Sequence, residues 1–224
     1  DDANGATTLT ITVADVNEAP VVANAIADAS TNEDAAYSLS LSSVFTDVDS
    51  GDSCTYTMSG APSTLSLSSG TISGTPINAN VGDHTITVSC SDGSLSVSDE
   101  YVLTVANIND APTVTSAIAD ASTAEDSSYS LDTSSAFTDV DSGDSCTYSM
   151  SGAPGTLSIA SDTGIITGTP VNANVGAHNV VVTCTDGSSA AVSDTYVLTV
   201  TNTNDAPTVA NAIADASTNE DAAY

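Results

Sequence analysis

Residues 47–56 read DVDSGDSCTY, and the same letters return at 139–148. They belong to a longer self-similarity. Pro20, Pro112 and Pro207 are equivalent, as are Cys54 and Cys146, Pro76 and Pro170, Cys90 and Cys184, and Tyr101 and Tyr196, giving a period of 92 to 95 residues. A period of that length holds one small domain, so the chain must fold as a series of like units, each burying its own core. The copies differ in length at two turn-like places, LSLSSGTISG against LSIASDTGIITG and DGSLSV against DGSSAAV. Surface turns tolerate such insertions and apolar runs do not. Residues 206–224 repeat residues 19–37 with one change, Thr208 for Val21, and LTITVADVNEAP at 9–20 matches the close of a repeat, LTVANINDAP. The expected units are 1–18, the end of a preceding repeat; 19–110 and 111–205, two complete repeats; and 206–224, the start of a following one, all within a longer tandem array.

Within a unit the apolar residues alternate with period two in YSLSL, CTYTM, TLSL, HTITVSC and YVLTV, and Gly, Pro, Asn and Asp clusters separate these runs. That pattern reads as half-buried strands, and no helical periodicity of comparable length competes with it. About seven short strands per repeat predict an all-β fold, a two-sheet sandwich of immunoglobulin-like type. Alternation places Cys54, Tyr56 and Met58 on one face, and likewise Ile86, Val88 and Cys90, and Tyr101, Leu103 and Val105. These are the expected core of the first unit.

The chain has 29 acidic residues, no Lys or Arg, and a formal net charge of -29. Nothing in it can neutralise a phosphate, which excludes nucleic acid and anionic membrane surfaces as partners. The longest apolar runs fall short of a membrane span, and the start, DDANGATT, has neither the basic end nor the apolar stretch of a signal peptide. No membrane insertion of this segment is expected.

Three carboxylates within DVDSGD repel one another unless a cation sits among them, and the chain supplies no cationic side chain. The partner must come from solution. Calcium takes about six to eight oxygen ligands in flexible geometry, and the chain offers carboxylates, Asn amides and carbonyls but few nitrogen or sulfur donors for zinc or copper. An EF-hand is excluded, because counting from Asp47 the loop has Gly51 fifth and Met58 twelfth. Ligands must therefore converge from distant segments. Asp28, Asp52, Asp99 and their counterparts read equally as turn residues or as ligands.

The sequence holds no GxSxG, HExxH, phosphate loop or CxxC. His84 and His178 each follow a VG turn into a strand, a place for a packed or rim residue rather than a catalyst. Paired carboxylates could serve a glycosidase, but an enzyme does not need its site once per repeat. No catalytic residue is assigned and no enzyme is expected.

Taken together, the closing NxNDAP, then IxDxxxxED, FTDVDSGDxxTYxM, SGTP, VGxHxxxVxCxDG and SDxYVLTV resemble the dystroglycan-type cadherin-like repeats of extracellular, largely bacterial, surface proteins. The resemblance covers both full units and both end fragments. It implies tandem cadherin-like Greek-key β-sandwiches with calcium between consecutive repeats. Matched residue by residue, one junction would use Glu33, Asp34, Asn107, Asn109, Asp110, Asp139, Asp141 and Asp186. The preceding one would use Asp15, Asn17, Glu18, Asp47, Asp49 and Asp92, and the following one Glu125, Asp126, Asn202, Asn204 and Asp205.

The chain departs from the pattern in reading SGTP where the best-known cadherins carry a further acidic motif, which implies fewer ions per junction. It also has Ser63 and Thr64 where many such repeats place a bulky aromatic, leaving a core short of one large side chain. In the cadherin-like strand order the two cysteines of a unit lie on antiparallel neighbours. The resemblance thus pairs Cys54 with Cys90 and Cys146 with Cys184, four buried free thiols being the alternative. The function implied is a structural extracellular repeat, a calcium-rigidified stalk or filament at a bacterial or archaeal surface. Its partners would be calcium ions, neighbouring repeats and other copies of the chain in a fibre. The alternative is an adhesin module binding carbohydrate or protein.

Overall fold

The computed structural model of the chain describes residues 8–14, 16–51 and 53–220. It has two compact units, Asp1–Asn109 and Asp110–Tyr224. The first carries β1 (Val21–Val22), β2 (Ala29–Asn32), β3 (Tyr37–Ser40), β4 (Phe45–Thr46), β5 (Thr55–Ser59), β6 (Leu65–Ser68), β7 (Thr71–Gly74), β8 (Gly82–Ser91) and β9 (Ser96–Ala106). The second repeats them as β10 (Thr113–Val114), β11 (Ala121–Ala124), β12 (Tyr129–Asp132), β13 (Phe137–Thr138), β14 (Thr147–Ser151), β15 (Leu157–Ile159), β16 (Ile165–Gly168), β17 (Gly176–Thr185) and β18 (Ala191–Thr201). Among the described residues the expected seven strands become nine in each unit, because the two-residue pieces VV and FT, too short to show alternation, pair as β1 with β4.

In the first unit one sheet runs β2-β9-β8-β5 and the other β3-β7-β6. All pairings are antiparallel except β2 with β9, where Ala29 stands against Leu103 and Asn32 against Ala106. The second unit has the same orders, β11-β18-β17-β14 and β12-β16-β15, with β11 parallel to β18. The inward faces of the two sheets form the core, as period-two alternation requires. Ile86, Val88 and Cys90 on β8 and Tyr101, Leu103 and Val105 on β9 are almost wholly buried. Cys54, Tyr56 and Met58 are half-buried, because β5 is the edge of its sheet.

The opposite layer supplies Leu41, Phe45, Leu65 and Ile72, which were not among the expected core residues. Phe45 packs on Tyr56 with ring centroids 6.1 Å apart, and Phe137 on Tyr148 at 6.1 Å. The Tyr37 and Tyr101 hydroxyls meet at 3.4 Å across the two sheets, as do those of Tyr129 and Tyr196.

Both insertions lie in hairpin turns. The β6–β7 turn is Ser69-Gly70, both with positive φ (49° and 71°), the two-residue turn whose twist suits a hairpin. In the second unit the same hairpin closes over residues 160–164. Each disulfide expected from the resemblance is present: Cys54–Cys90, with Cα atoms 5.1 Å apart, and Cys146–Cys184, at 5.0 Å. Cys90 faces Tyr56 across β5 and β8, which places Cys54 one step beyond the paired edge.

Candidate metal centre

Strand β8 runs ten residues from Gly82, opposite Val105, to Ser91. Its ends are therefore roughly 30 Å apart. The acidic residues gather at these two ends, and so do the segments that enter and leave the unit.

Residues 107–109, which follow β9, lie at the first pole. Strand β2 finishes beside Ala106, so Glu33 emerges there, with its backbone N–H donating to the Ala106 carbonyl at 3.0 Å. Its side chain is 2% exposed. Oε1 accepts from the Ile108 N–H at 2.9 Å, while Oε2 is buried with no hydrogen-bond partner. Asp34 follows with φ of 56°, left-handed backbone that Asp tolerates better than most residues, held by its N–H on the Pro76 carbonyl at 2.8 Å. Asn107 and Asn109, on either side of Ile108, are exposed.

The second unit repeats the arrangement. Glu125 is 1% exposed; its Oε1 accepts from the Thr203 N–H at 2.7 Å and its Oε2 has no partner. Asp126 has φ of 58° and donates its N–H to the Pro170 carbonyl at 2.7 Å. One carboxylate oxygen from each of Glu125, Asp126 and Asp205 lies within 4.8 Å of the others. Asn202 and Asn204 are exposed on the same segment.

At the other pole of the first unit, Asp47 Oδ1 accepts from the Asp49 N–H at 2.9 Å, and Asp47 Oδ2 is buried without a partner. Asp49 Oδ2 accepts from the Glu18 N–H at 2.8 Å, and Asp92 Oδ2 from the Asn17 amide at 3.2 Å, so the incoming segment is fastened to this pole. Asp92 Oδ1 takes the N–H groups of Ser94 (2.6 Å) and Leu95 (2.7 Å), and these bonds hold its carboxyl below the ordinary aspartate range. Asp15 lies outside the described residues.

The second unit again matches. Asp139 Oδ1 accepts from the Asp141 N–H at 2.9 Å, its Oδ2 is buried without a partner, and Asp141 Oδ2 accepts from the Asp110 N–H at 2.8 Å. Asp186 Oδ1 accepts from Ser188 and Ala190, both at 2.8 Å. Oxygens of Asp139, Asp141 and Asp144 lie within 4.8 Å of one another. Burial, and then the carboxylates of Asp139, Asp141 and Asp186, push the Asp144 carboxyl up from the ordinary value.

Asp144 is the counterpart of Asp52, both of which the sequence left open between turn and ligand; Asp52 lies outside the described residues, and the structure brings Asp144 into the cluster. The available signal was its place as the third acid of one short loop. Asp28 and Asp99 resolve the other way. Asp28 Oδ1 accepts from the Val102 N–H at 2.8 Å and Asp99 Oδ2 from the Ile26 N–H at 2.6 Å, and Asp120 and Asp194 make the same bonds in the second unit. These four lock segments onto a sheet edge. His84 and His178 donate Nε2–H to the carbonyls of Asn80 and Asn174, both at 2.7 Å, which fits a rim role.

Hard anionic oxygens gathered with several of their lone pairs unclaimed form a donor set suited to a hard divalent cation such as calcium. The residues therefore fit the ion implied by the resemblance.

The family model He_PIG, described as "Putative Ig domain", matches residues 19–106 and again 111–201. The chain belongs to the He_PIG family. No curated protein matches it. Among solved structures, these He_PIG repeats are similar to human mucin-like protocadherin EC1-2, at 18% identity over 82% of this chain and 98% of that one, with a TM-score of 0.57. Mouse cadherin-23 EC22-24 is 21% identical over 80% of this chain and 63% of that one, with a TM-score of 0.56. An endo-fucoidan hydrolase of glycoside hydrolase family 107, MfFcnA4, is 25% identical over 83% of this chain, which covers 29% of the enzyme, at a TM-score of 0.40. The He_PIG units are thus tandem immunoglobulin-like, cadherin-like sandwiches. No helix among the described residues is long and apolar enough to cross a membrane.

Proposed function

We propose that this chain is a segment of an extracellular stalk or filament whose tandem sandwiches, residues 19–110 and 111–205, are stiffened by calcium. The observation that carries the reading is a set of four buried carboxylate oxygens with no hydrogen-bond partner: Glu33 Oε2, Glu125 Oε2, Asp47 Oδ2 and Asp139 Oδ2. Burying a carboxylate oxygen unpaired is costly, and a chain without Lys or Arg has no side chain of its own to offset that cost. A divalent cation supplies the missing charge and accepts several oxygens at once.

At one pole the ligands would be Glu125, Asp126, Asn202, Asn204 and Asp205, or Glu33, Asp34, Asn107, Asn109 and Asp110. At the other they would be Asp139, Asp141 and Asp186, or Asp47, Asp49 and Asp92 together with Asp15, Asn17 and Glu18. Because each set joins connecting residues to the body of a sandwich, an ion held there ties down a segment that would otherwise be free. Fixed connections, repeated, make a rod. Two disulfides support an oxidising compartment for the chain, outside the cell or on its surface. The poles recur in each unit, which suits a spacer and not an enzyme.

Metal content per chain, thermal unfolding with and without EGTA, and maximum dimension by small-angle X-ray scattering test this together. Bound calcium, a Tm that falls on chelation and a particle that becomes flexible are expected; an unchanged Tm and unchanged dimensions would overturn it. Selective binding on a glycan array would favour the adhesin alternative.

A further inference from the structure

In the second unit the acids of the pole that carries Asp139 and Asp186 come from two separate segments. Asp139, Asp141 and Asp144 lie on residues 139–146, which connect β13 to β14 and pair with no strand. Asp186 opens the β17–β18 turn. The disulfide stands where these segments meet: Cys146 closes the first, two residues after Asp144, and Cys184, fully buried near the end of β17, precedes Asp186 by two. The two acidic stretches therefore leave one covalent knot in company, and a Cβ added to Gly187 would lie 3.8 Å from Asp144 Oδ1. Within the loop the Asp141 N–H donates to Asp139 Oδ1 at 2.9 Å and the Asp144 N–H to the Asp141 carbonyl at 3.2 Å, while Asp141 Oδ2 accepts from the Asp110 N–H at 2.8 Å. Like charges drive the two segments apart, and the disulfide opposes that separation.

We propose that the Cys146–Cys184 disulfide is a positioning element for the cation site of its unit, holding the Asp139–Asp144 loop against Asp186 before the ion arrives; Cys54–Cys90 acts in the same way for Asp47, Asp49 and Asp92. The inference rests on the calcium reading above. A tie that already holds the ligands together spares the ion the cost of ordering them, so its loss appears in affinity and not only in stability.

The test uses the full chain, titrated with calcium by calorimetry at a temperature where every form is folded by circular dichroism. Cys146→Ala/Cys184→Ala is compared with Val182→Ala, which removes buried bulk from the same strand without touching the tie. The disulfide variant is expected to bind calcium at one class of site about tenfold more weakly, while Val182→Ala keeps the wild-type affinity although its Tm in EGTA falls. Equal affinity in the disulfide variant and wild type overturns the inference while leaving the calcium reading standing; no calcium binding by oxidised wild type overturns that reading itself. Should the alanine pair not fold, hydrogen exchange on wild type decides. Amides of 139–146 protected alike in EGTA and in calcium support the tie, and free exchange in EGTA overturns it.

Discussion

Replacing Glu33 and Glu125 together with glutamine separates a cation ligand from an ordinary buried polar residue, because the two roles move stability in opposite directions once calcium is removed. One oxygen of each carboxylate serves the fold, Glu125 Oε1 with the Thr203 N–H at 2.7 Å and Glu33 Oε1 with the Ile108 N–H at 2.9 Å. Glutamine keeps that acceptor. The other oxygen, without a partner, becomes an amide that can donate to a neighbouring carboxylate. In the second unit a Glu125 oxygen lies within 4.8 Å of oxygens of Asp126 and Asp205. Two like-charge pairs at that distance cost about 1 kcal/mol each at the screening of bulk water and about 3–4 at a dielectric near 20. Asp126 and Asp205 are exposed, so the lower figure governs.

In EGTA the variant should therefore be more stable by about 1–2 kcal/mol per unit, a rise in Tm of roughly 5–10 °C. In saturating calcium the order reverses. Wild type gains about 2.7 kcal/mol per site at a hundredfold excess over Kd, and the variant forfeits much of it. Differential scanning calorimetry at pH 7 in both buffers reads the crossing, and changing both units ensures that whichever melts first reports it. A variant that melts below wild type by the same margin in EGTA and in calcium would refute the reasoning, since the glutamate would then serve the fold alone.

Burial, and then the hydroxyls of Tyr37 and Tyr129, push the phenols of Tyr101 and Tyr196 well above the ordinary tyrosine value of 10.0. A raised folded value means that the stability they contribute is whole below pH 10 and is lost as pH rises beyond it, so absorbance at 295 nm should show these two ionising only as the sandwich unfolds. Asp120→Ala removes the acceptor for the Val197 N–H and should lower stability by about 1 kcal/mol in urea melts, with faster exchange at Val197, in calcium and EGTA alike. Asp132 is held below the usual 3.8 by the Ser134 hydroxyl and N–H. The stability it adds is therefore present above that value and lost as pH falls through the lowered one. Carbon-13 titration should show the depressed value, and Ser134→Ala should bring it back up.

Self-similarity and period-two alternation are written along one dimension, so the tandem organisation and the sandwich were legible from letters alone: a repeat must carry its own core, and a strand shows which face it buries. The second layer was harder. Leu41 and Leu65 stand in the alternating runs YSLSL and TLSL, whereas Phe45 and Ile72 are core residues set in runs too short, or too broken by Ser and Thr, to show a period. The cysteine pairing became legible once a strand order was supplied by resemblance, since spacing says nothing about which strands adjoin.

Among the acids the letters were nearly silent, because one residue type serves two purposes. Asp28 and Asp99 accept N–H groups from Val102 and Ile26, more than seventy positions away in the chain, whereas Asp139, Asp141 and Asp144 converge with one Asp139 oxygen left over. Sequence by itself determined that this chain is a string of acidic β-sandwiches with no cation of its own. Which carboxylates close a sheet edge and which remain gathered was decided only by tertiary structure, because a carboxylate's role depends on the backbone donors that long-range pairing brings within reach of its oxygens.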